Sequence, residues 1–432
     1  MTNAVLGGKL DGRKAVGEES GAGHLLRKLL SAMAVGTALS AGAATFTVDA
    51  VVQRYPWNGL VDVDYTVALA ENEAAPDAFG GRLVVRVVDE SVTPPKTNAA
   101  NVFTEMPLPL TAGRHRVTWN AAADGCATIA DKLKFSIAFE SYPEKYMVID
   151  LTGGHLAPKY NVTYLDAPPP GGFNTEEYKT KKLAFRLVPA GGYMMGSPLD
   201  EPGRSADEWP HPVVITKPFY MQIFEFTRGQ YETMTGKPAP DKAMYGAARP
   251  LTNLTSTDCR GEGENPTSFK MIGELCAKTG LSLELPTEAQ WEWACRAGTT
   301  TPFNDGEACA DVAELDGHIE RLGRYKVNAE ADTTLHPNYN IDVGSFAPNA
   351  WGLYDMHGNA WECTRDKYVA DVAALGIVTD PLVTGTQHER AVRGGACNST
   401  AARCRSAARA FQSQRESSGN IGYRLVAAVP GL

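Results

Sequence analysis

The sequence predicts two units: an all-β sandwich over residues 44–166, and an α+β domain low in regular secondary structure over 181–432. Three observations carry this prediction. From Phe46 to about Tyr164 the apolar pattern has a period of two, and Pro, Gly, Asn and Asp clusters break it into short runs. Beyond Lys181 short helix signals are scattered among irregular strand-like stretches, as in α+β rather than doubly wound folds. Between the two lies Ala167-Pro168-Pro169-Pro170-Gly171-Gly172, stiff at its start and loose at its exit, which reads as a linker over 167–180.

In the first unit TFTVDAVVQ, VDVDYTVAL, RLVVRVV, RHRVTW, LKFSIAFE and YMVIDLTG each read as a strand. No His, Cys or carboxylate cluster with ligand spacing occurs there. In the second unit Leu183–Pro189 and His211–Phe226 are strand-like. Thr227 and Gln230 form a capping box that starts a helix, and Gly236 can end it. Asn265-Pro266 opens a second helix with Phe269, Ile272 and Cys276 on one face, stopped by Gly280. Thr287 and Gln290 cap a third over Trp291–Arg296. After Gly298 the chain is Gly- and Asn-rich and weakly periodic, a composition that usually needs disulfides or metal ions to hold it.

The 432-residue length exceeds one ordinary core, and 43% hydrophobic with 21% charged residues is the balance of a globular chain. A net charge of −9 argues against a nucleic-acid partner, because phosphate binding needs a concentrated basic surface. Arg27 and Lys28 precede an uncharged run from Leu29 to Ala44 that ends in Ala41-Gly42-Ala43. These are the parts of a secretory signal peptide, so residues 1–43 read as leader and signal, with cleavage near Ala43. The run is short for a membrane span, and no transmembrane segment is expected after cleavage. The expected location is therefore exported: periplasmic, cell-surface or secreted. Eight cysteines, an even number, suit an oxidising compartment, and seven of them fall between Cys259 and Cys404.

Chemistry concentrates in Trp351–Asp366, WGLYDMHGNAWECTRD, where Asp355 and Glu362 flank the turn dipeptide Gly358-Asn359. Such a loop can gather oxygens around a hard cation such as Ca²⁺. From spacing alone the plainer reading is favoured, in which Asp355, His357 and Asn359 are turn residues that satisfy backbone amides. No G-x-S-x-G elbow is present, and lone histidines such as His211 and His357 read as structural.

Six ordered motifs, GGYMMGS, HPVVITKPFYMQIFEFTRGQY, LSLELPTEAQWEWACRAG, VGSFAPNAWGLYDMHGNAWE, AVRGGA and NIGYRLV, make residues 181–428 resemble the formylglycine-generating enzyme family, or sulfatase-modifying factors. The resemblance implies a variant of the C-type lectin fold. It also implies structural Ca²⁺ held by the Asp355 side chain, the Gly358 and Ala360 carbonyls and the Glu362 side chain. A second family calcium site would fall in Asp305–Asp342, where no ligands can be placed. Active family members oxidise a substrate cysteine through copper on two thiolates, and soft ligands suit Cu(I). Here Cys397 and Cys404 are the weak counterparts, seven residues apart and differently spaced from AVRGGA, so the copper pair is not reproduced. Cys295 and Cys404 lie close to family positions joined by a disulfide, and Cys363 with Cys397, both at Trp-like positions, suggest a second bridge. The resemblance thus leads to an exported, calcium-stabilised binding or accessory scaffold for a protein or glycan. The alternative is a divergent copper oxidase converting a sulfatase cysteine to formylglycine.

Overall fold

The computed structural model describes residues 39–41, 44–54, 59–69, 81–89, 96–99, 102–103, 112–121 and 133–141. From 144 onward it describes every residue except 241–245, 264, 335, 337–339, 371–377 and 431–432. The predicted signal segment up to residue 38, its cleavage site and Cys126 lie outside the described residues. No described helix is long and apolar enough to cross a membrane.

The period-two runs of the first unit form two antiparallel sheets. One orders Leu39–Ala41, Ala44–Gln53, Leu60–Leu69, Gly113–Asn120 and Val102–Phe103; the other orders Lys96–Ala99, Gly81–Asp89 and Leu133–Ser141. Alternate residues Val61, Val63, Tyr65 and Val67 point inward, as side chains two apart on a strand must. They share one core with Val87, Phe135 and Ile137 of the other sheet.

The boundary at 166 does not hold. Tyr146–Asp150 and Asn161–Leu165 pair with each other, and Tyr146–Asp150 pairs with Lys182–Val188, in a six-stranded antiparallel sheet. That sheet continues through Phe219–Gln222, Val426–Ala428 and Leu283–Glu284. Met147 and Ile149 are fully buried in one cluster with Leu183, Phe185 and Leu187, so burial assigns this strand to the second unit. The Pro/Gly run is therefore a connection inside that unit, followed by buried Phe173 and a helix at Glu176–Thr180. Alternation identifies a strand but carries no information about its partner.

Two smaller sheets complete the second unit. His211–Ile215 lies between Gly191–Met195 and Val378–Thr379; Glu389–Arg393 lies between Arg409–Ser413 and Trp361–Lys367, with Ile421–Gly422 on the far edge. Both capping boxes form, starting helices Arg228–Thr235 and Glu288–Arg296. The helix expected from Pro266 begins instead at Met271 and ends at the left-handed Gly280; Phe269 precedes it and is 80% exposed rather than on a buried face. Short helices at Ser256–Arg260, Glu314–Ile319 and Lys326–Ala331 carried too few residues to show a period. The second unit is thus mixed α/β, with few helices and many strands.

Candidate functional site

The Trp351–Asp366 stretch folds as a turn running into the strand Trp361–Lys367. Asp355, Gly358 and Asn359 all take positive φ, at 57°, 84° and 60°. Gly358 is obligatory, because a Cβ there would stand 2.1 Å from the Arg324 carbonyl oxygen. The Gly358 N–H donates to the Gly394 carbonyl and the Cys397 N–H to the Asn359 carbonyl. The turn is thereby stitched to the AVRGGA segment.

Three buried carboxylates surround this turn. Glu362 accepts from Arg424 Nε at 3.0 and 2.9 Å, from Arg424 Nη2 at 2.7 Å and from Trp291 Nε1 at 2.7 Å. Asp355 accepts the Gly344 N–H at 2.6 Å. Glu225, from the FEF run, accepts the Ala360 N–H at 3.0 Å and Asn359 Nδ2 at 2.6 Å. Burial pushes the Glu225 carboxyl well up, and of the neighbouring charges Asp355 raises it most, followed by Glu362. Burial likewise raises Asp355.

The expected calcium ligands, Asp355, Gly358, Ala360 and Glu362, all lie in or beside this turn. The charge fits: three buried carboxylates face one guanidinium, a surplus that a divalent cation would neutralise. Glu362 does not fit as a ligand. Three N–H donors, Arg424 Nε and Nη2 and Trp291 Nε1, already engage both of its oxygens, and its role is to anchor Arg424. Asp355 and Glu225, which accept backbone and amide N–H groups rather than a guanidinium, are the carboxylates left for a cation. An acid inside the mostly apolar run Phe219–Phe226, which Gln222 alone otherwise interrupts, was the sequence signal for Glu225, since a carboxylate is buried only with partners. In the stretch of the second family calcium site, Asp305, Glu307 and His318 bring ligand atoms within 4.8 Å of one another. Arg321 lies 3.6 and 3.4 Å from the two acids, so this group is already an ion-pair network.

The cysteines correct both expected bridges. Among the described residues all seven cysteines are free thiols. Cys295 Sγ turns to Ser406 Oγ at 3.6 Å and the Met356 carbonyl at 3.7 Å, whereas Cys404 packs with Phe303 and Leu315 in a different cluster. Cys363 joins Cys259 in the central core, and Cys397 Sγ faces Asn420 Oδ1 at 3.9 Å. Burial raises the Cys397 and Cys363 thiols to about 11 and Cys295 to about 12, and raises Cys404 further still. Metal ligation and nucleophilic attack both need the thiolate. His357 is structural, as expected: Nδ1–H donates to the Cys404 carbonyl at 2.7 Å and Nε2 accepts the Asn304 N–H at 3.2 Å. Burial lowers its pKa to about 4, which keeps it neutral.

Several buried arginines and glutamates of the second unit pair with one another. Glu288 holds Arg409 at 2.6 and 2.9 Å, Glu292 bonds Arg296 and Arg393, and Arg405 is gripped by Glu201 and Glu208. Beside them Asp366 accepts the Glu288 and Val383 N–H groups, both at 2.8 Å. Burial, then the Glu288 charge, pushes Asp366 up to about 7. It lines a cavity of about 40 Å³ with Trp209 and His211.

Residues 173–429 match the family described as a sulfatase-modifying factor enzyme 1-like domain. The chain is 31% identical over 282 residues to the formylglycine-generating enzyme of Bos taurus, covering 56% of this chain and 73% of that one. It is 35% identical over 154 residues to the formylglycine-generating enzyme of Streptomyces coelicolor, covering 32% of this chain and 45% of that enzyme's length. It is also 25% identical over 282 residues to the inactive C-alpha-formylglycine-generating enzyme 2 of Bos taurus, covering 55% and 85%. Taken with the ordered motifs and the scaffold they build, these matches show that the chain belongs to the sulfatase-modifying factor family.

Proposed function

We propose that this chain is a binding or accessory member of its family, without copper oxidase chemistry. One observation carries the reading: Cys397 and Cys404, the weak counterparts of the copper pair, are seven residues apart and buried in different surroundings, Cys397 Sγ towards Asn420 Oδ1 and Cys404 among Phe303 and Leu315. The domain then serves as a rigid, C-type-lectin-like scaffold presenting loops to a protein or glycan, and the N-terminal sheets act as a β-sandwich spacer. Similarity to both active and inactive relatives is compatible with it. Export through the segment ending near Ala43 completes the proposal, and an intact Met1 on N-terminal sequencing of the mature protein would count against it.

The competing reading is a divergent formylglycine-generating oxidase, favoured by the 31% identity to an enzyme of that name. Purified protein incubated with Cu(I), O₂ and a peptide containing C-x-P-x-R separates the two. The scaffold reading expects no aldehyde by mass spectrometry and no stoichiometric copper. Aldehyde formation abolished by Cys397→Ser would overturn it.

Calcium belongs to the same proposal, as a structural ion at Asp355, Glu225 and the Gly358 and Ala360 carbonyls. An ion held at 100 times its Kd would contribute about 2.7 kcal/mol. EDTA is therefore expected to lower the melting temperature, and Asp355→Ala to abolish that sensitivity. Identical melting with and without chelator refutes the ion.

A further inference from the structure

The chain is acidic overall, yet one cavity of about 280 Å³ is lined by Arg260, Arg365, Lys367 and Arg390, together with Glu262 and Thr384. The acids nearest these cations are already engaged, Glu284 by two of the pocket's own arginines. Glu284 binds Arg260 at 2.9 Å and lies 3.7 Å from Arg365, and Glu262 is engaged by Arg415 at 3.0 Å. Lys367 donates to the neutral Gln414 Oε1 at 2.7 Å, and Arg390 donates through Nη1 to the Arg365 carbonyl. Arg390 is 3% exposed, and its Nε has no hydrogen-bond partner. A buried guanidinium donor without an acceptor is costly, and like charges crowded beside it add to that cost. Burial first holds both Lys367 and Arg390 below their ordinary values; Arg390 and Arg260 lower Lys367 further against Glu262 and Glu389, and Arg260 lowers Arg390 against Cys363, Glu284 and Asp366. Such a pocket is stabilised by whatever brings negative charge into it.

We propose that this pocket is a binding site for a tetrahedral oxyanion, a phosphate or sulfate group, received by Arg390 and Lys367 at the mouth formed by Thr384 and Gly385. The planar fork of arginine matches such oxygens, and lysine adds a point charge. An adjoining cavity of about 340 Å³ shares Arg365 and Leu382 and is lined by Phe219, Leu285 and Val426. An organic group esterified to the anion would lie there. The inference is independent of whether the cysteine thiols are catalytic.

The test is calorimetric titration of the full chain at constant ionic strength with sodium sulfate, sodium phosphate, 4-nitrophenyl sulfate and sodium acetate. Saturable one-site binding of sulfate or phosphate is expected, at least tenfold tighter than acetate. Tighter binding of the aryl sulfate identifies an ester as the ligand class, whereas equal binding identifies the bare ion. Lys367→Gln is expected to weaken affinity about tenfold. Thr384→Glu, at an exposed position, should abolish binding without lowering the melting temperature. Lys326→Gln, on the helix Lys326–Ala331 and outside the pocket's lining, should change nothing. Absence of saturable binding, or equal affinity in Thr384→Glu and the unaltered chain, overturns the proposal.

Discussion

Replacing Arg424 by Leu is expected to remove about 3–5 kcal/mol of folding stability, the usual loss when one partner of a buried ion pair is deleted. The side chains of Arg424 and Glu362 are 0% and 1% exposed. The guanidinium also donates to the carbonyls of Gln222, Ile223 and Tyr354, joining the six-stranded sheet to the turn. Without it, Glu362 keeps only the Trp291 N–H and stays buried as an uncompensated charge. Urea unfolding reads the loss as a lower midpoint with unchanged slope. The double variant Arg424→Leu with Glu362→Leu should recover part of it, because an apolar pair leaves no orphaned charge. A single-variant loss below about 1 kcal/mol would mean that water reaches the pair and the ion bond is a surface one.

A second large effect concerns pH. The Asp366 carboxyl titrates near 7 in the folded chain, raised by burial and then by Glu288, against about 3.9 when unfolded. A raised carboxyl favours the protonated form. Its contribution to stability is therefore complete below about pH 4 and is lost as the pH rises through 7. Three pH units correspond to about 4 kcal/mol. Asp366→Asn removes the titration while keeping the side chain's shape. Between pH 4 and pH 8 the unaltered chain should lose up to about 4 kcal/mol relative to this variant, compared by urea midpoints at each pH. Parallel pH profiles of the two proteins would show that Asp366 is not the buried acid described.

Local signals translated well. Capping boxes at Thr227 and Thr287, the left-handed glycines 236 and 280, and the Gly358-Asn359 turn all form where side-chain chemistry places them. They depend on residues only three or four apart, so the chain announces them directly. Phe269 failed for the opposite reason. It is apolar at a helical spacing, but the helix begins two residues later and the ring stays in water.

The candidate site was only partly legible. Asp355 and the turn could be read, but Glu225 stands 130 residues upstream of Asp355 and meets the turn only through tertiary folding. Glu362 looked like a metal ligand because Arg424, which occupies it, lies far along the chain. The cysteine bridges failed similarly. Motif positions name which thiols could pair, whereas a disulfide also needs their Sγ atoms to face each other.

The sequence by itself determined the family, the strand and helix alphabet, and the lack of a copper-type cysteine spacing, because these are carried by identity and short-range order. Tertiary structure alone decided that Tyr146–Asp150 completes the second unit's sheet, that Glu362 serves Arg424, and that Arg260, Lys367 and Arg390 converge on one cationic pocket. Each of these depends on which distant segments share a buried volume. There the cost of an unpaired strand edge, an unpaired charge or an unpaired donor selects partners that linear spacing does not encode.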